Sequence, residues 1–320
     1  MSRYPYPWQA PIWQSLQQAK GHNHLHHALL FSGEEGCGNE VFIQALANSL
    51  LCLTPATDGS ACGQCRSCQV FAAQAHPDFM SVTLLEDKQS ILIEQIRELN
   101  YFLGLSRSYS PCRVVIIYPA ERMNVNAANS LLKSLEEPAA NTHILLLTAH
   151  PALLLPTIRS RCQAIRLPLP THQQAQEWLS QQTLQHPLEQ LLETALGRPL
   201  AALELDSTDT LTQRAQWFAH LTQCMQGQGS ITEISAHWEK SDKQQLLDWQ
   251  LTWLLTLLKQ ASSDGAEPVT SELGYLRTLL NSNQILRMYD KLLELKKLST
   301  HPLNPRLFIE SMLILWQEQH

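Results

Sequence analysis

The sequence predicts an α/β domain with a parallel sheet, followed by two helical segments. Three observations carry this. Short apolar runs rich in Val, Ile and Leu alternate with helical patterns up to about residue 167, as in parallel strands joined by helical crossovers. Pro168 and Pro170 break that alternation. Beyond them only helical periodicity appears.

In chain order, strands are expected at 28–32, 79–84, 114–118, 144–148 and 163–167. Most are apolar on both alternating sets of positions, as strands covered on two faces require. Helices are expected at 12–20, 40–53, 65–75, 91–103 and 125–136. The last places Ala128, Leu131, Leu132 and Leu135 on one face, and Pro138 stops it. A small helical segment follows, with Thr171 as its N-cap, and the polar stretch 206–210 reads as a hinge. Leu247, Leu251, Leu254, Leu255 and Leu258 then form one wide apolar face, and 261–270 is a loop. A final helix opens with Asn304 as cap and Pro305 in its first turn, burying Phe308, Met312 and Leu315. The division expected is 1–167, 168–206 and 207–320.

Composition narrows the function. The net charge is −6. Residues 1–166 hold 12 basic and 12 acidic side chains, leaving 11 and 17 for the rest. Neither part has the cationic excess needed to hold a nucleic-acid backbone alone. No apolar h-region follows Arg3 and no run reaches the length of a membrane span. Eight cysteines in 320 residues are too few for a secreted disulfide scaffold. A cytosolic setting is expected.

After the first strand, Gly33-Glu34-Glu35-Gly36-Cys37-Gly38-Asn39-Glu40 has the spacing of a phosphate-binding loop, G-x-x-x-x-G-K-[ST], and opens a helix. Such a loop needs its Lys for the β and γ phosphates and its Ser/Thr for Mg²⁺. Here Asn39 and Glu40 hold those positions, and Glu34 and Glu35 add negative charge. The carboxylate that should end a neighbouring strand is missing too: 114–118 runs into Pro119, and Glu121 is the nearest acid. A degraded nucleotide site is expected, without intrinsic ATPase activity or bound ATP. A plain Gly-rich turn is the bland alternative.

Cys52, Cys62, Cys65 and Cys68 fall within 17 residues, and Gly63 permits a tight turn between two of them. Four thiolates at this spacing suit a closed, structural tetrahedral Zn²⁺ site. An iron–sulfur run would continue with x3-C-P, whereas Gln69-Val70-Phe71 follows Cys68; four unrelated buried thiols remain the other alternative. His22, His24, His26 and His27 read as surface and core histidines. Cys37, Cys112, Cys162 and Cys224 read as small apolar residues.

Three further segments carry a resemblance. Asn129-Ser130-Leu131-Leu132-Lys133-Ser134-Leu135-Glu136-Glu137-Pro138 resembles the N-A-L-L-K-T-L-E-E-P helix of the AAA+ clamp-loader ATPases. Thr157-Ile158-Arg159-Ser160-Arg161-Cys162 resembles their S-R-C segment, and Asn304-Pro305-Arg306-Leu307 the start of their last collar helix. The cysteine module, about 52–75, is also typical of bacterial members. The resemblance implies an AAA+ parallel-sheet domain with an inserted zinc module, a small helical lid and an all-α C-terminal collar for oligomerisation. It implies a non-hydrolysing, rigid subunit of a hetero-oligomeric ring within the DNA polymerase III holoenzyme. The partners implied are gamma/tau ATPase subunits and a delta subunit, with the sliding clamp and primed DNA reached through the complex. By the same resemblance Arg161 is an arginine finger acting in trans on a neighbour's ATP, the alternative being a structural ion pair. Arg159 is a second contact or a structural residue. Thr148 resembles the sensor-1 position, and Leu200 stands where a γ-phosphate-sensing arginine is expected, with Arg198 in another register. The rival readings are a self-sufficient AAA+ motor in repair or recombination and a zinc-stabilised DNA adaptor touching DNA through Arg66.

Overall fold

A computed structural model describes residues 5–86, 88–262, 271–299 and 303–318. It divides into two compact units, Met1–Ala175 and Gln176–His320.

In the first unit the elements run α1 (Ala10–Gly21), β1 (Ala28–Ser32), α2 (Asn39–Leu51), α3 (Arg66–Ala72), β2 (Phe79–Val82) and α4 (Ile93–Gly104). They continue with β3 (Arg113–Ile117), α5 (Val125–Glu136), β4 (Thr142–Thr148), α6 (Pro156–Arg159) and β5 (Gln163–Arg166). All five strands are parallel, in the order β2-β3-β4-β1-β5. Alternate residues of the central strands feed two cores, which is why they are apolar at nearly every position. Leu30, Val115, Ile117, Ile144 and Leu146 pack with Ile96 and Leu99 of α4 and Leu131 and Leu135 of α5. Leu29, Phe31, Val114, Ile116, Leu145 and Leu147 pack with Trp13 and Leu16 of α1 and Phe42 and Leu46 of α2. Each such side chain contributes about 1.5–3 kcal/mol on burial.

Several boundaries differ from the expected ones for physical reasons. β2 stops at Val82 rather than 84 because β3 ends and the chain turns at Ala120–Arg122, so the next N–H that would face β2, that of Ala120, has left the ladder; the last bond there is Tyr118 N to Val82 O. β3 begins one residue early, at Arg113, a buried arginine whose guanidinium donates to the carbonyls of Phe102, Leu105 and Ser106 at the end of α4. α4 begins at Ile93, not 91, because Ile91 is extended and exchanges backbone bonds with Arg122 and Asn124. The Asn124 side chain caps α5 by accepting from Ala127 N–H.

The second unit is helical among the described residues. α7 (His172–Leu179) leads in from the first unit, opened by Thr171, whose hydroxyl accepts from Gln174 N–H as expected. Then come α8 (Leu188–Thr194), α9 (Pro199–Asp206), α10 (Thr210–Met225), α11 (Ile231–Trp238) and α12 (Lys243–Ser262). α13 (Ser271–Leu279), α14 (Ser282–Leu298) and α15 (Pro305–Gln317) complete it. Trp217, Trp253 and Trp316 are its largest fully buried side chains. Gln250 lies inside α12's packed face: its Oε1 accepts from Trp316 Nε1 (2.6 Å) and its Nε2 donates to Leu246 O. Asn304 caps α15 as expected, accepting from Arg306 and Leu307 N–H. Phe308 and Met312 are buried; Leu315 is only half-buried, and Trp316 takes the inner place.

Asp206 is not a solvated hinge residue. It ends α9 at 4% exposure and accepts from the N–H groups of Gln185 and His186, so it ties two turns together. The expected loop 261–270 begins inside α12, and residues 263–270 lie outside the described ones.

Candidate nucleotide-loop, cysteine and arginine sites

The loop after β1 ends at the C-terminal edge of the sheet, where a parallel α/β fold places its ligands. Gly36 and Gly38 have φ of 77° and 80°, the left-handed conformation that glycine tolerates. Asn39, however, does not project from the loop. It is 6% exposed, its Nδ2 donates to Glu34 O (2.7 Å), and a Cβ on Gly33 would come 2.7 Å from that nitrogen. Residues 6–9 close over the same place. Trp8 Nε1 and Gln9 Nε2 both donate to Cys37 O (3.0 and 3.1 Å), and the Tyr6 ring, stacked on Trp8 at 5.0 Å, lies against Gly38. This segment carried no periodic signal; only its aromatic and proline content set it apart.

Charge around the loop is negative. The Tyr118 hydroxyl is pushed above its ordinary pKa, first by burial, then by its hydrogen bond to Glu40 and by the nearby charges of Glu40, Glu35 and Glu121. Glu121 also keeps a buried carboxylate oxygen without a hydrogen-bond partner among the described residues. Thr148, fully buried at the end of β4, accepts His150 N–H at its hydroxyl and Gly33 N–H at its carbonyl. In the second unit Leu200 lies in α9, and Arg198 Nε donates to Ala195 O.

The four cysteines converge. Their sulfurs lie within 4.8 Å of one another, with Cys52–Cys65 and Cys62–Cys68 each at 3.9 Å. Ligands ~2.3 Å from a tetrahedral zinc would be roughly 3.8 Å apart, so the set fits one metal ion. Gly63, at φ 71°, makes the turn between Cys62 and Cys65. N–H groups of Gln64 and Cys65 and the Thr54 hydroxyl donate to Cys62 sulfur, bonds that favour a thiolate. The Thr54 bond first, and the two N–H groups next, lower the Cys62 pKa to about 6. Burial pushes Cys68 up. Among the described residues this is the one group of His, Cys, Asp or Glu close enough to share an ion. His26 and His27 instead contact the backbone at Ala28 and Leu135. Cys37, Cys112 and Cys224 are buried and Cys162 is half-buried.

The module is anchored to the sheet's other edge. Ser67 Oγ donates to Leu51 O (2.7 Å) and meets His76 Nε2 (2.9 Å), which also meets Ser110 Oγ. Asp78, fully buried, accepts from the N–H groups of Ser108, Tyr109 and Ser110. Arg66 lies 4.8 Å over the Tyr109 ring.

Arg161 sits just before β5, at the N-terminal edge. Because Leu29 pairs with Gln163 and Ser32 with Arg166, the loop at Gly33 and the arginine lie at opposite ends of adjacent strands, roughly 15–20 Å apart at ~3.3 Å per residue. Its Nε and Nη2 both bond Glu136 Oε1 (2.8 and 2.5 Å), and its Nη1 donates to Thr157 O (3.1 Å). Arg159 has no side-chain partner among the described residues. Among those residues no helix is long and apolar enough to cross a membrane.

Comparison with known proteins adds the lineage. A family model described as "DNA polymerase III, delta subunit" matches residues 8–171. A protein of Pseudomonas aeruginosa named DNA polymerase III subunit delta' is 36% identical, over 97% of this chain and 97% of its own length. Proteins of the same name from Haemophilus influenzae and Escherichia coli are each 34% identical. They cover 84% and 83% of this chain, and 82% and 79% of their own.

Proposed function

Because this chain belongs to the DNA polymerase III delta' family, we propose that it is a clamp-loader subunit that does not hydrolyse ATP itself and activates a neighbour's ATPase. The observation that carries this reading is the opposition of the two sites across one sheet. The loop is closed by Asn39, Tyr6, Trp8 and Gln9 and ringed by carboxylates, and Arg161 lies too far away to serve it. An arginine in that position can act only on a nucleotide held by another chain.

In that role the guanidinium, always charged and planar, approaches the transferring phosphoryl group and offsets the charge that develops on it. The neighbours are the gamma/tau ATPase subunits, with a delta subunit in the same ring, and the ring places the sliding clamp on primed DNA. Residues 1–167 form the AAA+ domain, 168–206 the lid and 207–320 the collar that holds the ring together. Cys52, Cys62, Cys65 and Cys68 hold a structural Zn²⁺ whose work is to fix the crossover between α2 and β2. The protein works in the cytoplasm.

The test is ATP hydrolysis by the reconstituted complex with clamp and primed DNA, comparing wild type with Arg161→Ala and checking assembly by sizing. The site served by one such arginine is expected to slow by ~10³–10⁵-fold, and the total rate by that site's share. Hydrolysis by the isolated chain, or an unchanged rate in an intact complex, would refute the reading.

A further inference from the structure

Resting on the reading of Arg161 as a trans-acting finger, we propose that Glu136 is its positioning residue. It is the last residue of α5 and lies 25 positions before Arg161 in the chain. A carboxylate at a helix C-terminus faces the negative end of the helix dipole, an unfavourable place for it. Two stand there, and they are treated differently: Glu136 holds Arg161, whereas Glu137 has no side-chain partner among the described residues. The two arginines divide the same way, Arg161 held and Arg159 unheld.

Stability does not explain the pair. Its side chains are 34% and 50% exposed, and ion pairs so open to water add little to a fold. Geometry gives a better reason. The contact is side-on, through Nε and Nη2 to a single oxygen. Nη1 rests on Thr157 O at 3.1 Å and on Ser160 Oγ at a long 3.4 Å. Of the five N–H groups, the outer one on Nη2 is uncommitted and one on Nη1 is weakly held. The outer N–H of Nη2 belongs to the end-on edge of the fork, which it shares with one N–H of Nη1, the edge able to meet two phosphoryl oxygens. Glu136 therefore restrains the flexible side chain without covering its reactive edge. A finger ordered in advance loses less rotamer freedom when it engages.

The experiment compares four assembled complexes by steady-state ATP hydrolysis over a range of ATP concentrations: wild type, E136A, R161A and E136A/R161A. E136A is expected to slow the site that Arg161 serves roughly 3- to 30-fold, the range set by arginine rotamer entropy, so that the complex's kcat falls by no more than in R161A, with KM and assembly unchanged. E136Q, which keeps the accepting oxygen and loses the charge, should fall between. The double variant should match R161A alone. A faster E136A complex would make Glu136 a restraining latch, and a further loss in the R161A background would give it an independent role; either overturns the proposal. In parallel, the Arg161 Nε–H resonance of the isolated chain is followed in wild type and E136A. Its hydrogen exchange should quicken in E136A; an unchanged signal overturns the positioning while leaving the finger standing. Wild-type activity in R161A removes the finger, and this proposal with it.

Discussion

The Tyr6 ring covers Gly38 so closely that a Cβ at residue 38 would lie 2.2 Å from Tyr6 Cε2. Adding that atom must strain a left-handed backbone and displace the ring. Gly38→Ala is expected to cost about 1–3 kcal/mol. Hydrogen exchange should rise in a peptide covering residues 5–16, because Trp8 and Gln9 lose their hold on Cys37 O. Unchanged exchange there would show that the N-terminal segment does not depend on the loop.

Restoring the lost loop residues is expected to fail for the same reason. Asn39→Lys with Glu40→Thr returns the cation and the hydroxyl, but Glu35 and Glu121 and the packed Tyr6–Gln9 segment remain. Titration with a fluorescent ATP analogue should show no saturable binding below ~1 mM, a free energy of about −4 kcal/mol.

Metal analysis of the purified protein should find one zinc per chain. Cys68→Ser, at a buried ligand position, should abolish it, since structural zinc binding is worth about 10–16 kcal/mol in small zinc modules. Because Ser67 and His76 join the module to Ser110, hydrogen exchange should rise over 52–75 and again over 106–110. It should stay low in β1. A uniform rise would mean that the whole unit unfolds with the metal.

Asp78 gives an acid dependence. Burial pushes its pKa up, but N–H bonds from Ser108, Ser110 and Tyr109 more than reverse this, leaving it below the ordinary value. A carboxylate depressed in the fold stabilises above its unfolded pKa and loses that contribution as pH falls through the folded one. Asp78→Asn should cost about 2–4 kcal/mol at pH 7, and denaturant midpoints of variant and wild type should converge below about pH 4.

Glu193 gives the opposite sign. Burial raises its pKa to about 7, opposed by Arg214 and reinforced by Glu272, and neither carboxylate oxygen has a hydrogen-bond partner among the described residues. A raised carboxyl stabilises the fold at low pH and loses that contribution as pH rises through about 7. Glu193→Gln should melt with wild type at pH 5 and a few degrees above it at pH 8. A gap that narrows with pH would show that Glu193 is paired.

Local sequence pattern carries the strands and the cysteine set, but not the pairings that only the fold makes. Strands such as Val114–Ile117 were legible because a chain covered on both faces must be apolar at every step. The cysteine set was legible because thiols at metal-ligand spacing have few other uses. What escaped were pairings made by the fold: Tyr6 against Gly38, Asp206 beneath Gln185, Glu136 beside Arg161, and Gln250 against Trp316. Each joins residues between 21 and 66 positions apart, and no local pattern announces such a pair. Arg113 escaped because a charged residue argues against a buried strand unless its partners are known.

The opposition of Gly33 and Arg161 across the sheet gives the molecule a direction. On the reading proposed here, one edge can give an activating group, and the other cannot receive one. Identical units with a donor at one end and an acceptor at the other add head to tail without limit, closing into rings or running on as filaments. A unit whose acceptor is closed by Tyr6, Trp8 and Gln9 cannot continue such a series. It marks one end, and any assembly that includes it has a counted length and a fixed starting point.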